Sequence, residues 1–92
     1  MKILHKDDGS KGMFYIENDG KHTAIMTYVR AGKNIIIDHT EIDKIHSGKG
    51  IGRQLLEKAV SFAREKNIKI MPLCPFAKSV FDKDKDIHDV LM

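Results

Sequence analysis

Residues 46–54 read His-Ser-Gly-Lys-Gly-Ile-Gly-Arg-Gln, and three glycines at alternate positions restrict the fold more than any other stretch of this chain. Glycine stabilises neither a strand nor a helix interior and leaves backbone amides uncovered, so the segment is expected to form a tight loop. Ile51, Leu55, Leu56, Ala59, Val60, Phe62 and Ala63 then recur at helical spacing, with Arg53, Glu57, Lys58, Arg64 and Glu65 mostly outside that stripe. This predicts an amphipathic helix of about four turns packed on the rest of the fold. The loop's N–H groups then lie at a helix N-terminus, where unpaired donors and the macrodipole favour an anion. The stretch offers a phosphate cradle made of backbone.

On the N-terminal side, Met-Phe-Tyr-Ile-Glu-Asn at residues 13–18 suits a strand, and Asn18-Asp19-Gly20-Lys21 supplies hairpin chemistry. In the next run, His22 to Arg30, Ile25 and Val29 share one face with Thr23 and Thr27, while Ala24, Met26 and Tyr28 take the other. Such a strand belongs to a sheet contacted on both sides. Ala31-Gly32-Lys33 turns the chain, and Asn34 to Ile42 forms a third strand. Its Ile35-Ile36-Ile37 run reads as central, whereas Asp38, His39, Thr40 and Glu41 bring polar groups to the far end, as at the edge of a cleft. After the helix, Asn67 can close it in a left-handed conformation. Ile68 to Cys74 reads as a fourth strand bounded by Pro72 and Pro75, and Pro75 begins a short helix to about Asp84 through Phe76, Val80 and Phe81. Ile87, Val90 and Leu91 can dock the tail. A strand, a helix and a strand make a crossover that pairs its strands in parallel. The expected fold is therefore α+β, an α/β sandwich with a mixed, mostly antiparallel sheet of about four strands, one parallel β-α-β crossover and two helices.

Ninety-two residues are expected to form one domain, residues 1–92, burying only about 60–65% of the surface an unfolded chain exposes. Apolar residues at 41% and charged residues at 32% exclude a disordered or membrane-embedded chain. Residues 1–12 lack a continuous apolar run, so no signal peptide or membrane span is expected, and the default address is cytoplasmic. The single cysteine, Cys74, cannot form an internal disulfide, which fits a reducing compartment. A net charge of +3 is an ordinary solubility feature, and no run of like charge reads as a nucleic-acid tail. A stacking platform is also missing, so a nucleic-acid partner is not expected. The spacing of His5, His22, His46 and His88 points to no metal site, and there is no Cys-x-x-Cys pair.

Two familiar phosphate loops are excluded. The dinucleotide pattern Gly-x-Gly-x-x-Gly fails from Gly48 because Arg53 takes its last position, and from Gly50 because Leu55 does. The P-loop fails because Gly50 follows Lys49 where Ser or Thr is required, and no glycine stands at residues 42–45. The stretch instead resembles the acyl-coenzyme A loop of the GNAT superfamily of N-acetyltransferases: Arg or Gln, two residues, Gly, one residue, then Gly or Ala, between a strand and a helix. Gly50 and Gly52 match the two small positions, and Ser47 departs from the first. With His39-Thr40-Glu41-Ile42 before the loop and Pro72-Leu73-Cys74-Pro75-Phe76 after it, the chain looks like the small single-domain group of that superfamily, from about Phe14 to Leu91.

The resemblance implies an acetyl-coenzyme A-dependent N-acetyltransferase. Backbone amides of Gly48, Lys49, Gly50, Ile51, Gly52 and Arg53 would hold the pyrophosphate, and the pantetheine arm would enter where the third and fourth strands part. A parallel pair splayed after Asp38 leaves N–H and C=O groups that an amide-rich arm can pair with, in the manner of an added strand. A backbone N–H near Ile42 would polarise the thioester carbonyl. The partners implied are coenzyme A and an amine acceptor, a small molecule or a protein.

An amine is largely protonated at neutral pH, so direct transfer needs a base, for which His39 and Glu41 are candidates. They share a face if the strand is regular; a strand histidine is otherwise a structural or surface residue. Cys74 falls at the end of the fourth strand and the start of a helix, a setting that favours thiolate. It is either a group that carries the acetyl in a two-step route or a small buried apolar residue; superfamily analogy favours direct attack. Many members carry a tyrosine on the last helix to protonate the leaving thiolate, where this chain has Phe81, and larger members form the acceptor pocket from two N-terminal helices missing here. The alternative function is a non-catalytic acyl-coenzyme A sensor or partner module.

Overall fold

The computed structural model describes residues 2–92. Five strands, β1 (Leu4–Asp7), β2 (Lys11–Asn18), β3 (Lys21–Ala31), β4 (Asn34–Ile42) and β5 (Ile70–Pro72), form one sheet in that spatial order. The first three pairings are antiparallel and β4 runs parallel to β5. Helix α1 (Ile51–Lys66) makes the crossover between these two, and α2 (Pro75–Lys83) follows β5. The β2–β3 hairpin turns through Asp19 and Gly20, both at positive φ (51° and 78°), the conformation whose twist matches paired strands. Asn67, at φ 58°, closes α1: its N–H bonds the Arg64 carbonyl, and Ile68 N–H reaches back to the Ala63 carbonyl at 2.9 Å.

All the helices lie on one face of the sheet. Phe14, Ile16, Ala24, Met26, Tyr28, Ile35 and Ile37 point from the strands into the core. Ile51, Leu55, Leu56, Ala59, Val60 and Ala63 meet them from α1, and Ala77 and Phe81 from α2. Burial of each large side chain contributes about 1.5–3 kcal/mol. Among the described residues the opposite face has no helix, and Met13, Tyr15, Ile25, Thr27, Val29 and Ile36 are half-buried there.

The structure adds β1 to the strands legible in the sequence. Its side chains are largely exposed, so no apolar alternation announces it. A hydrogen-bonded group fastens this edge strand to β3: Tyr28 O–H donates to Asp7 Oδ2 at 2.5 Å, Arg30 donates to the same oxygen at 2.8 Å, and His5 Nε2 lies 2.7 Å from the Tyr28 oxygen. Between them passes β2 at Gly12, where a Cβ would lie 2.5 Å from both the Tyr28 oxygen and the Lys6 carbonyl. Here only glycine lets the ring through.

Register slips between Thr27 and Tyr28, because Thr27 faces His39 and Tyr28 faces Ile37. Asp38 is the extra residue of a β-bulge. Ile35 and Ile37 face the core, but after the bulge Thr40 and Ile42 take that side, opposite Met26 and Ala24. His39 and Glu41 turn to the uncovered face.

Candidate functional site

A short 3₁₀ turn, Lys44–His46, links β4 to the glycine loop. His46 anchors it. Its ring is 3% exposed, and Nε2 lies 2.9 Å from Thr23 Oγ1 on β3, while Nδ1 has no protein partner. Gly48 and Gly50 then adopt positive φ (74° and 69°), and Gly50 is the N-cap of α1. A Cβ on either would meet nothing within 4 Å. Backbone conformation therefore demands these glycines, and the space above them is open. Gly52 has a different reason: a Cβ there would sit 2.7 Å from Phe76 Cζ, so the first turns of α1 and α2 touch through it.

Within the loop, Lys49 N–H bonds the His46 carbonyl and Gln54 N–H bonds the Gly50 carbonyl. Among the described residues, the amides of Gly48, Gly50, Ile51, Gly52 and Arg53 have no protein acceptor. The last three are orphans that any helix start leaves. Lys49 is exposed, but the Arg53 guanidinium is engaged by Asp84 and, at 3.3 Å, by Glu57. Those carboxylates, Asp84 foremost, hold its pKa above the usual arginine value. Arg53 thus presents its backbone to the loop while its side chain braces α1 against the end of α2.

The β4–β5 pairing ends at Ile37, whose carbonyl accepts from both Leu73 N–H (2.9 Å) and Cys74 N–H (3.0 Å). Two donors converging on one oxygen mark the point where β5 leaves the sheet, so β5 is shorter than residues 68–74. Beyond it β4 continues, among the described residues, with no strand on that side. Asp43 N–H bonds the Thr23 carbonyl of β3 (2.9 Å), so by alternation the Ile42 amide faces the gap.

Cys74 is 3% exposed and caps α2, its sulfur accepting from Ala77 N–H at 3.3 Å, with Thr40 Oγ1 3.2 Å away across the gap. His39 and Glu41 are together, with Nε2 3.3 Å from Oε2 and side chains 58% and 67% exposed. The structure thus brings His39 to Glu41, and Cys74 to Thr40, on opposite faces of the sheet. Sequence reasoning missed Asp38 as the residue that decides those faces, and His46 as the loop's anchor; Thr23 beside a buried histidine carries no pattern in one dimension. Among the described residues, no group of three or more His, Cys, Asp or Glu side chains is placed to hold a metal ion, and no helix is long and apolar enough to cross a membrane.

A family model described as GCN5-related N-acetyl-transferase matches residues 13–90. Protein NATD1 of Gallus gallus is 30% identical over 74 residues, covering 78% of this chain and 67% of that protein. The solution structure of a GCN5-like protein of Staphylococcus aureus is similar over 99% of this chain and 87% of its own, with a TM-score of 0.76 and 35% identity. A ribosomal-protein-alanine N-acetyltransferase of Brucella melitensis matches 83% of this chain and 62% of its own, with a TM-score of 0.68. At 17% identity, that likeness concerns the fold alone.

Proposed function

The chain belongs to the family of GCN5-related N-acetyltransferases, and from that premise we propose that it transfers an acetyl group from acetyl-coenzyme A to an amine. The observation that carries the reading is the row of unpartnered amides at Gly48, Gly50, Ile51, Gly52 and Arg53 at the start of α1, with open space beside Gly48 and Gly50. Oriented N–H groups and the helix dipole suit a diphosphate, and Lys49 adds an exposed ammonium. The gap between β4 and β5 suits the pantetheine arm, with the Ile42 amide available to the thioester carbonyl.

In the proposed step, the deprotonated amine nitrogen attacks the thioester carbon. The C–N bond forms, the C–S bond breaks, the attacking nitrogen gives up one proton to water, and coenzyme A leaves as a thiolate that takes one up. His39 and Glu41 are our candidates for removing the amine's proton, directly or through water, because they are exposed on the face without helices. Direct attack is favoured over an acetylated Cys74, since that thiol is buried and occupied as a helix cap. A second reading, an acyl-coenzyme A sensor, draws on Phe81: it is 1% exposed within the core and has no proton to offer a leaving thiolate.

The test combines thermal unfolding with acetyl-coenzyme A and product analysis on a panel of primary amines. A Tm that rises with ligand concentration, together with acetylated product, supports the transferase. A rise without product on any amine supports the sensor, and no rise removes both.

A further inference from the structure

The face of the sheet without helices carries an open concavity of about 540 Å³. Lys6, Met13, Thr27 and His39 stand side by side on successive strands, as do Lys11, Val29 and Ile36. These rows project away from the core, so the hollow formed by Lys6, Lys11, Met13, Thr27, Val29 and Asp38 lies on the same side as His39 and Glu41. Met13 and Val29 give it an apolar floor.

Its rim has both signs of charge. Two of its three carboxylates are already committed: Asp7 to Tyr28 and Arg30, and Asp8 to the Ser10 and Lys11 amides of the β1–β2 turn. Asp38 is different. Thr27 O–H donates to its Oδ1 at 2.6 Å, which fixes the carboxylate and leaves Oδ2 unengaged. It is the bulge residue immediately after Ile37, where β5 leaves the sheet. Among the described residues, neither Lys6 nor Lys11 has a carboxylate within salt-bridge distance; Lys6 Nζ lies 5.1 Å from the centroid of the Tyr15 ring, which leaves Lys11 the less engaged of the two.

We infer that this hollow is the acceptor site, and that it takes a di- or tripeptide with apolar side chains and a free C-terminus. Asp38 receives the N-terminal ammonium, Met13 and Val29 receive the side chains, and Lys11, with Lys6, receives the terminal carboxylate. Length agrees with this. Asp38 on β4 and Lys11 on β2 are about 10 Å apart across the sheet and two residues out of line along it, since Lys11 aligns through Val29 with Ile36; three extended residues span about 10 Å, and the long Lys11 stem covers the offset. A polyamine would satisfy Asp38 but set its second charge against two lysines. The inference rests on the acetyl-transfer reading above, in which acetylation forms the peptide's N–C bond as the thioester C–S bond breaks.

The test compares Leu-Leu and Leu-Leu-Leu with their C-terminal amides and with spermidine, quantifying acetylated product by mass. Acetyl-coenzyme A binding is followed separately by Tm. Free peptides are expected to exceed their amides and spermidine at least tenfold in kcat/KM. Asp38→Asn, which can keep its bond to Thr27, is expected to raise the peptide KM at least tenfold with unchanged acetyl-coenzyme A binding. Lys11→Met combined with Lys6→Met should erase the difference between acid and amide. Equal use of acid and amide by the wild type, preference for spermidine, or an unaffected Asp38→Asn overturns the inference while leaving acetyl transfer intact. If no product forms, the methyl resonances of Met13 and Val29 decide: a shift on adding Leu-Leu supports the peptide site, and no shift overturns it. Failure of acetyl-coenzyme A itself to bind instead removes the transfer reading.

Discussion

Replacing Tyr28 with phenylalanine removes one oxygen from the group that holds the edge strand and leaves the ring's packing in place. That oxygen donates to Asp7 at 2.5 Å. Because its single proton is used there, the 2.7 Å contact from His5 Nε2 must be a donation from the imidazole. The hydrogen bond from Tyr28, with further ones from Arg30 and Gly9, holds the Asp7 carboxyl at about 2, below its usual 3.8. Burial first, and Asp7 second, push the Tyr28 phenol well above its ordinary value, so it stays a neutral donor throughout. A carboxyl whose folded pKa is depressed contributes stability above its unfolded pKa and loses it as pH falls through the folded one. The interval from 3.8 to about 2 corresponds to at most about 2.5 kcal/mol. Partial exposure of Asp7 reduces that to about 1 kcal/mol. Tyr28→Phe, which removes the largest contribution to that shift, should therefore cost up to about 1 kcal/mol at pH 7, within the usual net range of a single hydrogen bond. Urea unfolding followed by circular dichroism at pH 7, 4 and 2.5 measures this. The gap between wild type and variant should narrow below pH 4, as Asp7 is protonated first in the variant. A gap equally wide at pH 2.5, or no gap at pH 7, refutes the assignment.

Gly50→Ala places a Cβ at φ 69° with no steric neighbour, so chemical denaturation should show only the left-handed backbone cost, about 1–2 kcal/mol. Gly12→Ala forces a Cβ onto the Lys6 carbonyl and the Tyr28 ring, and should cost about 3 kcal/mol with loss of β1 protection in hydrogen exchange. Cys74→Ser keeps an N-cap acceptor and should leave both stability and acetyl transfer near wild type; abolished transfer with retained ligand binding would point to the thioester route through Cys74.

Local rules made much of the fold readable. The α1 stripe, the Asn67 stop, the Asp19-Gly20 hairpin and the start of α2 at Pro75 each depend on a few neighbouring residues, and each stands where the sequence places it. The glycine loop was legible for the same reason, since a left-handed N-cap before an apolar stripe leaves a mark in one dimension. What was hidden depends on register. Strand β1 has no buried alternation and exists because Asp7 and His5 find Tyr28 on β3. The bulge at Asp38 depends on how β3 aligns with β4, and moves His39 and Glu41 from the face of Ile37 to the face without helices. A period of two read along β4 alone cannot reveal that exchange.

The central claim is that the uncovered backbone at the head of α1 grips the diphosphate of a coenzyme A thioester, and it is tested most directly by amide NMR of the chain titrated with acetyl-coenzyme A. The largest shifts are expected at Gly48, Gly50, Ile51, Gly52 and Arg53, accompanied by Ile42 in the gap beside β5. Saturable binding that leaves those six amides unmoved, or no binding at all, contradicts the account.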